Sequence, residues 1–163
     1  MLVERSAKLT DLGFINSCIL YGARKGHYSF NAENPEMVKA MKSETRSVIS
    51  DGLLSDKRRA SASVFTLQHD RVGMLIMCEA MPDSRAYEIY ALSVAKNHQH
   101  KGFGRQILDR LLEHFIYHDV HARCMPVSET MKKLLQCRGF VFYSEDGGFE
   151  TYVKPGFDTC NVA

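Results

Sequence analysis

No apolar run in the 163 residues is long enough to cross a bilayer, so the sequence gives no reason to expect a membrane partner. The opening MLVERSAKLTDLG carries Glu4 and Arg5 and lacks an apolar signal core, so secretion is not expected either. The five cysteines, Cys18, Cys78, Cys124, Cys137 and Cys160, are odd in number and scattered. They form no C-x-x-C and no Cys/His pair at zinc-site spacing, which predicts buried thiols in a reducing cytoplasm and no metal. Cys160, near the end, is the one expected to be exposed. Charge of one sign is also lacking, because a formal +2 is too small to argue for nucleic acid. Two nucleotide signatures are missing as well. There is no Gly-Lys-Ser/Thr of a P-loop, and no full G-x-G-x-x-G with an acidic residue at the dinucleotide spacing. A nucleotide phosphotransferase is disfavoured on that ground. Repeats, low-complexity tracts and linkers are absent too, and the length suits one domain over residues 1–163, with 155–163 a frayed tail.

What is present centres on Ala86 to Tyr117. Residues Ala86 to Val94 (AYEIYALSV) are β-favouring and read as a strand. A polar loop follows, Lys96 to Lys101, and then Gly102-Phe103-Gly104. Ile107, Leu108, Leu111, Leu112, Phe115 and Ile116 recur at helical spacing and predict one buried helix face. A helix start has unpartnered N–H groups and the positive end of the macrodipole. Glycines beside it admit a ligand to the backbone, while Lys101 and Arg105 add charge. The physics therefore suits a phosphate-bearing ligand.

The rest of the chain supplies the frame. Leu2 to Ala7 reads as a strand, and Thr10 or Asp11 caps a helix through Leu12, Ile15, Cys18 and Ile19 that ends near Gly22. A polar and aromatic loop, Ala23 to Asn34, precedes a helix opened by Asn34-Pro35 and closed by Gly52. Leu54 to Ser61 reads as loop. Ser63 to Leu67 and Val72 to Glu79 form a hairpin about His69-Asp70-Arg71, and Met81 to Arg85 breaks the chain before the central strand. After the helix come a strand at His121 to Met125 and a helix capped by Ser128 and closed by Gly139. A last hairpin pairs Phe140 to Tyr143 with Phe149 to Val153 around Glu145-Asp146-Gly147-Gly148.

Leu92-x-Val94 followed by Gln99-x-x-Gly102-x-Gly104 resembles the acyl-CoA-binding motif of the GCN5-related N-acetyltransferases (GNAT). The helix–Gly139–Phe140 step is similar to that family too. The resemblance covers most of the chain, with its specificity between Glu88 and Gly104. It implies an α/β (α+β type) fold: a mixed, mostly antiparallel sheet of six to seven strands flanked by about four helices. It implies acetyl transfer from acetyl-CoA, as co-substrate, to a primary amine on a small molecule or peptide. Glu88 matches the position of a family glutamate that deprotonates the amine directly or through water. Backbone groups of Leu92, Ser93 and Val94 would hold the acetyl and pantetheine and steady the developing oxyanion. Gln99, His100, Lys101, Gly102, Phe103, Gly104 and Arg105 would hold the pyrophosphate. Ser128 stands where the family often has a cofactor-contacting asparagine. His27 and Tyr28 of the first helix–loop–helix region, with Tyr90, are acceptor-site candidates.

One position departs from the pattern. Leu135 stands where the family's usual tyrosine acid precedes Gly-Phe by four residues. Tyr90, Tyr117 and Tyr143 offer alternative hydroxyls, though each also reads as a packing residue. Leu135 motivates a competing reading, a non-catalytic acyl-CoA-binding or protein-interaction domain. Cys124 and Cys137 lack the neighbouring base of an acyl-carrying thiol. Domains of this kind often pair as homodimers, but no stretch specifies an interface. Fold analogy does not choose the acceptor.

Overall fold

The computed structural model describes residues 1–82 and 84–157. Cys160 and most of the tail lie outside them, as does Asp83 of the break before the central strand. Strand β1 (Leu2–Ser6) leads through a 3-10 turn at Leu9–Asp11 into helix α1 (Leu12–Arg24). Helix α2 (Pro35–Asp51) starts as expected: the Asn34 side chain accepts the Glu36 and Met37 amides, and Pro35 sits in the first turn. Gly52, left-handed at φ 69°, ends it. Strands β2 (Ala60–Leu67), β3 (Asp70–Glu79) and β4 (Tyr87–Val94) follow, then helix α3 (Phe103–His114) and strand β5 (Val120–Cys124). Helix α4 (Glu129–Gln136) and the hairpin β6 (Val141–Asp146) to β7 (Phe149–Lys154) complete the order. Gly147 and Gly148 both take positive φ, as a tight hairpin turn requires.

These strands form one seven-stranded sheet in the order β1-β2-β3-β4-β5-β7-β6, antiparallel except where β4 meets β5. The anticipated mixed, mostly antiparallel sheet and four flanking helices are therefore present. Alternation along β3 explains the layers. Met74, Ile76 and Cys78 join Ile15, Ile19 and Val48 of α1 and α2 on one face. Leu75 and Met77 join Ile107, Leu108, Leu111 and Leu135 of α3 and α4 on the other. With helices on both sides, β3 is buried continuously from Val72 to Glu79.

Several boundaries differ from the sequence expectation. β2 begins at Ala60, inside the segment read as loop, because Ala60 and Ser61 pair with Cys78 and Met77, and sheet pairing outweighs weak intrinsic propensity. The β2–β3 turn falls at Gln68-His69, with Gln68 at φ 57°, so Asp70 and Arg71 belong to β3. Helix α1 continues past Gly22, whose role is steric: a Cβ there would lie 2.6 Å from the Tyr28 ring. Helix α3 stops at His114, leaving Ile116 42% exposed instead of on the buried stripe. The start of the tail is tied down, since the Phe157 amide donates to the Ile116 carbonyl and that of Gly156 to Asp119 Oδ1, both at 2.9 Å.

Candidate active site

The site begins with two irregularities in β4. Ile76 pairs with Ala91 but Met77 with Ile89, so Tyr90 is an extra, bulged residue. The bulge turns Tyr90 and Ala91 toward the α1/α2 face. On the other edge, pairing with β5 stops after Tyr87, Glu88 and Ile89. From Tyr90 to Val94 the strand parts from β5, opening a wedge in the middle of the sheet.

The loop that leaves β4 wraps around the base of α3. A 3-10 turn at Lys96–His98 comes first, and the Gln99 side-chain amide then donates to the Val94 carbonyl at 3.0 Å. Gln99 thus fastens loop to strand. Lys101 Nζ donates to the Asn97 carbonyl at 2.9 Å, and His98 meets Phe103 edge-on. His100 and Gly102 take positive φ, 61° and 79°, which turns the chain sharply into the helix. A Cβ on Gly102 would meet nothing within 4 Å, so its outer side is open. Gln106 is the first α3 amide to bond back, to the Gly102 carbonyl at 3.2 Å, so the amides before it point outward. Gly104 packs near Val94 and Leu134. Arg105 leans toward Asp109 at 3.8 Å and stays largely exposed. These groups suit an anionic, phosphate-bearing ligand.

On the α1/α2 side lies a cleft of about 590 Å³, and Glu88 is in its wall. Glu88 is 7% exposed and held by two arginines. Arg58 Nη1 donates to Oε2 and Arg123 Nε to Oε1, each at 3.0 Å. A carboxylate has about four lone-pair directions, so each oxygen keeps capacity for a further donor. Arg58 is fixed in turn by Asp56, the Glu79 carbonyl and Cys78 Sγ. Phe149 supports Arg123, whose guanidinium carbon is 5.2 Å from the ring centroid.

The three acceptor-site candidates gather in this cleft. Tyr28 packs on Gly22 and against Phe30, and burial pushes its phenol well above the ordinary value. Burial, helped by Glu44, pushes the Tyr90 phenol up to about 12, so it stays a hydrogen-bond donor at neutral pH. His27 reaches out of the cleft wall: its Nδ1 lies 2.9 Å from Ser128 Oγ. Ser128 therefore occupies the cap position of α4 without capping it, and its buried hydroxyl links α4 to the α1–α2 loop instead.

Leu135 is fully buried within the core, among residues that exclude water. Tyr117 and Tyr143 are 64% and 73% exposed, so of the three alternative hydroxyls Tyr90 alone lines the cleft. Burial pushes the Cys124 thiol up to about 11, against nucleophilic use. Among the described residues no group of three His, Cys, Asp or Glu side chains could hold a metal, and no helix is long and apolar enough to cross a membrane.

The arginine clamp and the cleft walls are not visible as motifs. Arg58 is 30 residues before Glu88 and Arg123 is 35 after it. Alternation in VHARC is the one available signal. With Val120, Ala122 and Cys124 facing the core, Arg123 must take the other face, where Glu88 is.

A mixed sheet that parts beside a glycine-bearing helix start, with a buried carboxylate across the gap, defines an acetyltransferase architecture. The sequence model of the Acetyltransferase (GNAT) family matches residues 28–140, and the chain belongs to that family. It is accordingly an enzyme of the N-acetyltransferase class, and enzymes of this family use acetyl-CoA. Solved structures agree on the fold. A Pyrococcus horikoshii protein superposes with a TM-score of 0.74 at 14% identity, covering 96% of this chain and 99% of its own. An acetyltransferase from Thermus thermophilus gives 0.72 at 20% identity, covering 95% and 97%. The spermidine N-acetyltransferase of Vibrio cholerae, in complex with CoA and spermine, gives 0.69 at 16%, covering 93% and 92%. No curated protein sequence matches the chain at a significant level.

Proposed function

We propose that this protein transfers the acetyl group of acetyl-CoA to a primary amine by direct attack. The observation that carries the reading is the parting of β4 from β5 at Tyr90 to Val94, which opens the wedge between the α3 helix start and the Glu88 cleft. Acetyl-CoA, when bound, supplies an acyl group activated by a thiol leaving group. The amides at the start of α3, with Gln99, His100, Lys101, Gly102, Phe103, Gly104 and Arg105, hold the anionic end. The backbone of Leu92, Ser93 and Val94, unpaired with β5, is assigned hydrogen bonds to the acyl end, and Ser128 is assigned to the same ligand.

An alkylammonium has no lone pair, so the acceptor must lose a proton before it attacks. Glu88 is the group we assign to that task, directly or through one water, using the lone pairs its arginines leave open. Tyr90, Tyr28 and His27 surround the acceptor. A homodimer through the edge strand β6 and a cytoplasmic location belong to the same proposal. The exposed side chains of Val141, Phe142 and Tyr143 support the first, and the free thiols the second.

Calorimetric titration with acetyl-CoA, run beside a thiol-release assay over an amine panel, tests the reading. Binding together with acceptor-dependent thiol release is expected. Absence of binding would overturn the assignment of the wedge.

A further inference from the structure

We propose that the acceptor is a small aliphatic amine carrying a second positive charge, and that Glu44 holds that second charge while Glu88 receives the amine to be acetylated. This rests on the acetyl-transfer reading above and adds the class of acceptor and the residue that selects it. Two carboxylates line the cleft, and they come from different walls: Glu88 from β4 and Glu44 from α2. Much of the remaining lining is apolar or aromatic, with Tyr28, Phe30, Met41 and Tyr90. A short chain of methylenes gains by leaving water against such walls. A volume near 590 Å³ suits a small ligand that is mostly enclosed.

The two carboxylates differ in the charge around them. Glu88 is opposed by the guanidinium groups of Arg58 and Arg123, each at 3.0 Å, and Arg58 also pairs with Asp56. Taken together these charges cancel. An ammonium gains little there over a neutral amine, which suits the nitrogen that must lose its proton before it attacks. Glu44 has no such compensation. Its two oxygens accept the Ser55 amide at 2.9 Å and the Ser55 hydroxyl at 3.1 Å, one bond each. Each oxygen keeps an open lone pair, and among the described residues no Lys, Arg or His pairs with it. Its negative charge is felt inside the cleft, where it adds to burial in pushing the Tyr90 phenol up. An ammonium that leaves water needs an anion, and Glu44 supplies one that nothing else neutralises. A diamine in the cleft would thus offer a neutral, attacking nitrogen at Glu88 and keep its other end charged at Glu44.

Thiol release with acetyl-CoA, read beside saturation-transfer NMR titrations of each amine with the protein alone, tests this on the full chain. The probes are the aliphatic diamines from 1,3-diaminopropane to 1,6-diaminohexane, each set against the monoamine of the same chain length. At the best length the diamine should show kcat/KM about fivefold or more above its monoamine, beyond what its two equivalent ends alone would give. Monoamines used as well as diamines at every length would overturn the proposal.

Glu44→Gln sharpens the test. Glutamine keeps the side chain's size and helix preference at a half-buried position, so the variant should fold. The diamine advantage should shrink to what two equivalent ends give, a ratio that any general loss of activity leaves untouched. An advantage that survives in Glu44→Gln would overturn the assignment of the second charge to Glu44. Absence of thiol release from every amine would count against the transferase reading. The NMR titrations would still decide the acceptor class: diamine binding weakened by Glu44→Gln sustains it, and binding indifferent to that change overturns it.

Discussion

Asp11 and Glu88 are both buried carboxylates held by two arginines, and they differ in how much of their hydrogen-bonding capacity is filled. Asp11 is fully buried and accepts four bonds: two from Arg5, one from Arg71 and one from the Lys8 amide, at 2.7 to 2.9 Å. That fills its lone-pair capacity, and the hydrogen bonds, led by Arg5, hold its carboxyl well below the usual range. Glu88 accepts only two, and its remaining capacity faces a cleft. A saturated carboxylate is an anchor; a half-saturated one can still receive a proton or an ammonium. Counting bonds therefore separates these two carboxylates where burial alone does not.

The sharpest way to break this contrast is to remove each charge in turn. Glu88→Gln should lower kcat/KM for amine acetylation by about a hundredfold, the usual contribution of a positioned general base. Thiol-release kinetics, with acetyl-CoA affinity as a control, would read it. Unchanged turnover would remove Glu88 as the base. Asp11→Asn should cost about 2–3 kcal/mol of stability, because Arg5 and Arg71 lose their shared anion but are themselves half-exposed. A fall in Tm of about 5–10 °C with kcat unchanged is expected.

Acid adds a smaller effect of known sign. The folded value of Asp11 is depressed, so its contribution is present above the unfolded value, near pH 4, and is lost as pH falls toward the folded one. Wild-type protein should lose stability in that window more steeply than Asp11→Asn, which denaturant melts at pH 5 and pH 3 would compare. The smallest effect is expected from Arg123→Lys, since the side chain is nearly half exposed. Stability should change by less than about 1 kcal/mol, while the acceptor KM shifts because a lysine lacks the fork that aligns Glu88.

The sequence made the local half of this legible. Asn34-Pro35, Gly52 and Gly147-Gly148 mark their caps and turn by chemistry acting within a few residues. Gln99, Gly102 and Gly104 mark the loop in the same way. The illegible part is non-local. Asp11 reads as a helix cap until Arg71, 60 residues away, reaches it. Ser128 reads as a cap until His27, 101 residues distant, binds its hydroxyl. Glu88 could be picked out by its place in the motif, but its arginine partners come from the loop before β2 and from β5, which only the folded sheet brings beside it. The extra residue at Tyr90 is set by register with β3, and no propensity encodes that.

The short seam between β4 and β5 has a mechanical side. Three residue pairs join the strands there, against seven between β3 and β4 and five between β5 and β7. The sheet is thus two rafts with few rungs between them, and a ligand lodged in the wedge would act as additional rungs. Melting temperature then becomes a gauge of occupancy. A ligand at a hundred times its Kd adds about 2.7 kcal/mol to the folded state. Simple heating with and without candidate ligands would therefore weigh how much of the molecule's cohesion is borrowed from what it binds.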